Sequence, residues 1–197
     1  MGRWKPDAAG RLQRAAMELY RERGFDQTTV AEIAERAGLA ERTFFRYFTD
    51  KREVLFAGSH TLVELLVSAL TATPRTDPPI EQVITALHAA DEFFTDRDYS
   101  RQRQEVINAH PELHERELIK LHSLATAFAD VLRERGVDDP TASMCGEIGV
   151  SVFRIAFERW ADGDEQQSFA DSVDEAVANL REITLQRDPG PPAHLTR

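Results

Sequence analysis

Apolar residues recur along most of this chain at spacings of three and four and almost nowhere alternate, a pattern that predicts helices rather than strands. Between positions 7 and 23, Leu12, Ala15, Ala16 and Leu19 fall on one stripe, and Gly24 supplies the expected C-terminal stop. Val30, Ile33, Ala34 and Ala37 repeat the amphipathic pattern. Thr29 and Glu32 stand before them at capping-box spacing, and Gly38 closes the segment. Residues 40–48 make a third short helix. Asp50 and Glu53 repeat the capping-box spacing and predict a fourth helix from Lys51 to Leu70.

Three prolines within residues 71–79 break the pattern. Further helical segments are expected over 80–95, around 102–109, from Pro111 at a helix N1 position to Arg135, over 141–161 and over 166–186. The tail 188–197, rich in proline, is expected to be disordered. The fold class is therefore all-α, with about nine helices.

The segment 40–48 carries an unusual mixture. On a wheel of about 3.6 residues per turn, Phe44 and Phe48 fall together, with Ala40 close by, and form the packed face. Arg42, Thr43 and Arg46 fall opposite, flanked by Phe45 and Tyr47. An aromatic root with a basic ridge, preceded by a short helix and a glycine turn, is the pattern of a helix-turn-helix whose second helix enters the DNA major groove. Arginine can donate two hydrogen bonds to guanine, and threonine can meet a base or the thymine methyl. Tyr47, Lys51 and the hydroxyls of Thr28 and Thr29 are expected to hold phosphates.

Charge sharpens this expectation. The net charge is −10, yet residues 1–52 carry 11 Lys and Arg against 8 Asp and Glu, while the remainder carries 13 against 26. An acidic body excludes a protein that coats nucleic acid over its whole surface, whereas the basic head suits local phosphate contact. No apolar run approaches a membrane span, no signal-peptide core opens the chain, and the single cysteine, Cys145, forms no internal disulfide. These features point to a cytoplasmic protein without membrane contact.

The stretch TTVAEIAERAGLAERTFFRYFTDKREVL, residues 28–55, resembles the DNA-binding signature of the TetR (tetracycline repressor) family. The resemblance rests on the pair Thr28–Thr29, Ile33–Ala34, Ala37–Gly38, the segment from Thr43 to Phe48, and Lys51. It implies a DNA-binding head over 7–67 with its helix-turn-helix at 29–48, and an effector-binding and dimerisation domain over 68–187. It further implies a homodimeric repressor that binds a palindromic double-stranded DNA operator and is released by a small-molecule effector. Thr29, Thr43, Phe45, Arg46, Tyr47 and Lys51 would be its DNA contacts. A DNA-binding activator or architectural protein without an effector is the alternative. Three departures from the family pattern matter: Phe45 in place of the frequent Tyr, Ala31 in place of a polar residue, and Ala40 in place of a serine cap.

Other features weigh less. No nucleophile–base pair, carboxylate pair or metal set emerges, so neither an enzyme nor a cofactor is expected. His110 and His114 have ligand spacing but lack a third partner, and are expected to be solvated. Cys145 has no cation within a helical turn and is expected to be a buried small residue. Phe93, Phe94, Phe128, Phe153, Phe157 and Trp160 are candidate walls of an effector pocket, though any one of them is more often simple core, with Arg101 and Arg103 as candidate partners of an acidic effector. Cys145, Gly146 and Gly149, with the stripe Phe169, Val173, Val177 and Leu180, suggest a dimer surface on the last two helices, although packing inside one chain would give the same pattern. Arg3, Trp4 and Lys5 suggest an arm toward phosphate, or a frayed terminus.

Overall fold

The computed structural model describes residues 7–164 and 166–185; the arm at Arg3, Trp4 and Lys5 and the tail at 188–197 lie outside them. Among the described residues nine α-helices and one 3₁₀ turn are present, and no strand. In chain order they are α1 (Ala8–Arg23), α2 (Val30–Arg36), α3 (Glu41–Tyr47), α4 (Ser59–Ala72) and α5 (Pro79–Leu87). The 3₁₀ turn His88–Glu92, α6 (Arg97–Asn108), α7 (Pro111–Glu134), α8 (Asp139–Asp162) and α9 (Phe169–Leu185) follow. No helix among them is long and apolar enough to cross a membrane.

Local sequence explains most of the boundaries. Asp7 caps α1 by accepting from the Gly10 amide, and Asp138 caps α8 through Thr141. Proline sits at the first turn of α5, α7 and α8, where its missing N–H costs nothing. Gly24, Gly38 and Gly136 stop α1, α2 and α7 with φ of 85°, 65° and 91°, in the left-handed region that glycine enters without penalty.

The expected fourth helix is displaced. Residues 51–58 form successive tight turns, with the amides of Leu55, Phe56 and Ala57 bonded three residues back, and α4 begins only at Ser59 after Gly58 at φ 87°. Val54, Leu55 and Phe56 of these turns are all buried in the head core. Asp50 does accept from the amides of Arg52 and Glu53. The reciprocal half of the box is absent, because the Glu53 carboxylate is drawn to Arg116 and to Lys120 on α7.

Two hydrophobic cores result. The head core joins α1, α2, α3 and the turns 54–56, and it also takes in Ile107 from α6 and Leu113 from α7, both fully buried. The body core runs from Leu66 and Leu70 of α4 through Val83, Phe128 and Phe153 to Phe169 and Val173 of α9. The α6–α7 corner is thus shared structure: it belongs to the body by sequence and to the head by packing.

The glycines of α8 correct the sequence reading of a dimer surface. A Cβ on Gly146 would lie 2.4 Å from the backbone oxygen of Ala125 on α7, and one on Gly149 would lie 2.4 Å from Val83 on α5. Cys145 is buried beside them, and Phe169, Val173 and Val177 are buried in the body core. The close approach is real, but the neighbour is the same chain. The apolar residues that α8 leaves outside are Met144 (64% exposed) and Ile155 (38%), with half-buried Ile148 on the same stripe.

Candidate nucleic-acid interface and effector region

The head is built to hold α3 outward. Thr29 accepts from the Glu32 amide while the Glu32 carboxylate accepts from the Thr29 amide, completing the capping box of α2. The turn into α3 is held from a distance by Arg11 of α1, whose guanidinium donates to the carbonyl oxygens of Ala37 and Gly38. Phe44 at 0% exposure and Phe48 at 8% root α3 in the core, their rings 5.5 Å apart. Ala40 provides no side-chain cap, as its methyl requires.

Five of the eight residues picked from the sequence for DNA contact lie together on the outer side of the head. Arg42, Phe45, Arg46 and Tyr47 are exposed on α3, and Thr43 is half-buried between them. Arg46 folds back along the helix: its Nη2 donates to the Tyr47 hydroxyl at 3.0 Å, and its guanidinium carbon stands 4.9 Å from the Tyr47 ring centre. Phe45, 54% exposed, is an apolar ring at the surface of a basic ridge. Thr29 lies exposed at the start of α2, though its hydroxyl donates to Glu32.

Thr28 and Lys51 are placed differently from the expectation. Thr28 is 1% exposed and its hydroxyl donates to the Gly24 carbonyl oxygen, so it closes the α1–α2 turn and does not face solvent. The Lys51 ammonium donates to the carbonyl oxygens of Phe25, Asp26 and Thr28, using all three of its protons. Its own carbonyl oxygen accepts from the Tyr20 hydroxyl at 2.7 Å. Burial, with the Asp50 charge adding to it, pushes the Tyr20 phenol well above its ordinary value and keeps it a neutral donor. Neither Arg11 nor Tyr20 was evident in the sequence. Their partners lie 26 and 31 residues away, and no local spacing marks them.

The six aromatic residues proposed for an effector pocket pack mainly on one another. Phe94 is the hub, with ring centres of Phe153, Phe157, Trp160 and Phe169 at 5.9, 5.3, 5.3 and 4.8 Å. Phe128 is fully buried in the body core. Phe93 lies against Gly58, where a Cβ would approach it to 3.1 Å, at the joint between head and body. Phe94 and Trp160 alone among the six reach an open cleft of about 910 Å³. Arg103 is committed to the joint, donating to the Leu55 carbonyl oxygen at 2.5 Å and standing 3.4 Å from Glu117.

The candidate metal and thiol features do not converge. No group of three His, Cys, Asp or Glu is disposed to hold a metal among the described residues. His110 is half-buried rather than solvated, its ring tilted against Phe25 with centres 5.1 Å apart and bonded to the Val106 carbonyl oxygen. Burial, and then the Asp138 charge, pushes the Cys145 thiol upward, away from the thiolate a reactive cysteine needs.

The comparison with known proteins agrees with this geometry. Residues 12–57 match the family model of bacterial regulatory proteins of the tetR family, and residues 77–184 match that of the MftR C-terminal domain. The chain belongs to the TetR family of transcriptional regulators. Its relatives include the transcriptional regulator MftR of Mycobacterium tuberculosis, 25% identical over 88% of this chain and 89% of that protein. They also include the transcriptional activator FasR of Mycolicibacterium smegmatis, 26% identical over 93% and 87%. Among solved structures, FadR of Thermus thermophilus, a TetR-family repressor in complex with lauroyl-CoA, is 28% identical and covers 93% of this chain and 98% of its own, with a TM-score of 0.54. This TetR-family chain is accordingly a transcriptional regulator and not an enzyme. Its head is the part that the tetR model spans, together with the body residues packed into it.

Proposed function

We propose that the protein is a ligand-responsive repressor that binds a palindromic operator as a homodimer. The observation that carries this reading is α3 itself, which is rooted by buried Phe44 and Phe48 and carries Arg42, Arg46 and Tyr47 outward. Arg42, Thr43 and Arg46 are assigned to base edges, and Phe45 to a thymine methyl or a sugar. Thr29 and Tyr47 are assigned to phosphate. Lys51, engaged by three carbonyl oxygens, acts by fixing the α1–α2 turn against α3.

A single head of this size reads few base pairs, so two copies reading paired half-sites supply the affinity. Met144, Ile148 and Ile155 on the outer stripe of α8 are the residues assigned to the contact between copies. Release follows if a small molecule prefers a state in which the two heads no longer fit successive grooves. The FadR relative, a repressor solved with an acyl-CoA, supports the ligand-responsive half of this reading. The activator FasR supports the alternative sign of regulation. Sequencing the DNA fragments that the purified protein retains, and then asking which of the adjacent genes rise when its gene is deleted, tests both. Retention of no discrete palindrome would overturn the reading, and genes that fall on deletion would favour activation.

A further inference from the structure

An open cleft of about 910 Å³ lies where the start of α6, the end of α8 and the start of α9 meet. Half-buried Phe94 supplies the apolar part of the lining, with Trp160 and Phe169 buried behind it, and Arg97 and Arg101 the cationic part. The three aspartates of the lining are already engaged. Asp91 accepts from the Ala170 amide, Asp96 accepts from the Tyr99 amide as the cap of α6, and Asp98 is paired with Arg101. Arg97 is different. Its Nη2 donates to the Gln167 carbonyl oxygen at 2.5 Å and its guanidinium lies 5.0 Å from the Trp160 ring centre. Its Nη1 is the only buried side-chain nitrogen or oxygen without a hydrogen-bond partner among the described residues. A buried guanidinium nitrogen left without an acceptor is costly, and such groups ordinarily mark a place where another oxygen belongs.

We propose that this cleft binds a small molecule with an anionic group, carboxylate or phosphate, on an apolar body: the anion accepts from Arg97 Nη1, and the body lies on Phe94. This rests on the ligand-responsive reading above and names the site and the chemistry of the effector. The position also gives it a route to the head. Arg97 opens α6, and the same helix carries Arg103 at its middle, bonded to Leu55, and Ile107 in its last turn, buried in the head core. A helix of 12 residues is a stiff connection of about 18 Å. Moving its first turn to meet a ligand therefore acts directly on the packing beneath α3.

Trp160 reports on the site, since Arg97 stands over its ring. In the full-length chain with Trp4→Phe, Trp160 emission is followed during titration with decanoate, decyl phosphate and phenylacetate, and with the uncharged decanol and phenylacetamide. A saturable change with at least one acid, at least about tenfold weaker for its uncharged counterpart and for Arg97→Gln, is expected. The two decyl acids separate carboxylate from phosphate. Arg97→Gln keeps a donor for Gln167 without the charge, and thermal melts of that variant confirm its fold. No response to any acid at millimolar concentration, equal binding of acid and neutral probes, or unchanged binding by a folded Arg97→Gln variant would overturn the proposal. Operator retention by the same preparations is read separately. Operator bound with all acids ignored removes this site and leaves the regulator, whereas absence of operator binding removes the regulator reading itself.

Discussion

Lys51 stands over Phe25, its Nζ 4.4 Å from the ring centre and 2.8 Å from that residue's carbonyl oxygen. With Asp26 and Thr28 completing the set of acceptors, the ammonium ties the α1–α2 turn to the turns between α3 and α4. Replacing Lys51 with Met is therefore expected to destabilise the DNA-free protein by about 1–3 kcal/mol, because charge-assisted bonds are lost and carbonyl oxygens are left open. Thermal or urea unfolding without DNA checks this. An unchanged midpoint, with only the salt dependence of DNA binding altered, would show instead that the ammonium works on phosphate.

Arg42→Ala and Arg46→Ala should each weaken specific operator binding by about 1–3 kcal/mol, roughly tenfold to a hundredfold, without lowering the melting temperature. Tyr47→Phe should produce a smaller loss, since it removes the hydroxyl that holds Arg46 along the helix but keeps the ring beneath it. Gel-shift titrations on operator and scrambled DNA separate the three. Equal losses on both DNAs would mean that these residues position the head and do not read bases.

Glu32 links α2 to acid. The Thr29 amide and hydroxyl hold its carboxyl below the ordinary carboxylate range, against an opposing effect of desolvation, and Arg23 at 2.7 Å adds to the lowering. A carboxyl lowered in the folded state contributes stability that is complete above its unfolded value and is lost as pH falls through the folded one. The melting temperature of the parent should therefore fall faster on acidification than that of Glu32→Gln, and the gap between them should narrow. Melts from neutral pH into the acid range test this, and parallel curves would refute it.

Gly146→Ala should cost about 1–3 kcal/mol, because the new methyl meets the backbone of α7 and neither helix can yield alone. Gly24→Ala meets nothing within 4 Å, so its cost, about 1–2 kcal/mol, comes from φ 85° alone. Denaturant titrations compare the two, and the Gly146 variant should also loosen near-ultraviolet signals from the aromatic cluster.

Ile155→Glu places a charge on the outer stripe of α8. If that stripe meets a second copy, the variant should sediment as a monomer with its helix content intact, and operator affinity should fall by an order of magnitude or more. A dimer that persists would move the contact elsewhere, with exposed Ile183 on α9 or Leu118 and Ile119 on α7 the next surfaces to charge.

What the sequence revealed and what it hid divide by distance along the chain. The capping box at Thr29 and Glu32, the glycine stops and the proline starts act within four residues, so spacing exposes them. The aromatic root and basic ridge of α3 are equally local. Lys51 and Thr28 were assigned outward because nothing near them shows that the carbonyl groups of the α1–α2 turn and Gly24 would claim them. Gly146 and Gly149 announced a close approach correctly, yet spacing cannot say which helix approaches. The aromatic residues of the body likewise gave no sign that Phe94 would gather five other rings about itself and leave little of them to line a cavity.

Ile107 and Leu113 complete a core whose other members precede residue 57. The two halves of this molecule consequently share a keystone, and the division at residue 67 suggested by motif is not a seam along which the protein can be parted. A fragment cut there would expose the sockets of both side chains, and a chimaera grafted there would inherit a foreign plug. Specificity for an operator and response to an effector must on this account be exchanged together with the α6–α7 corner.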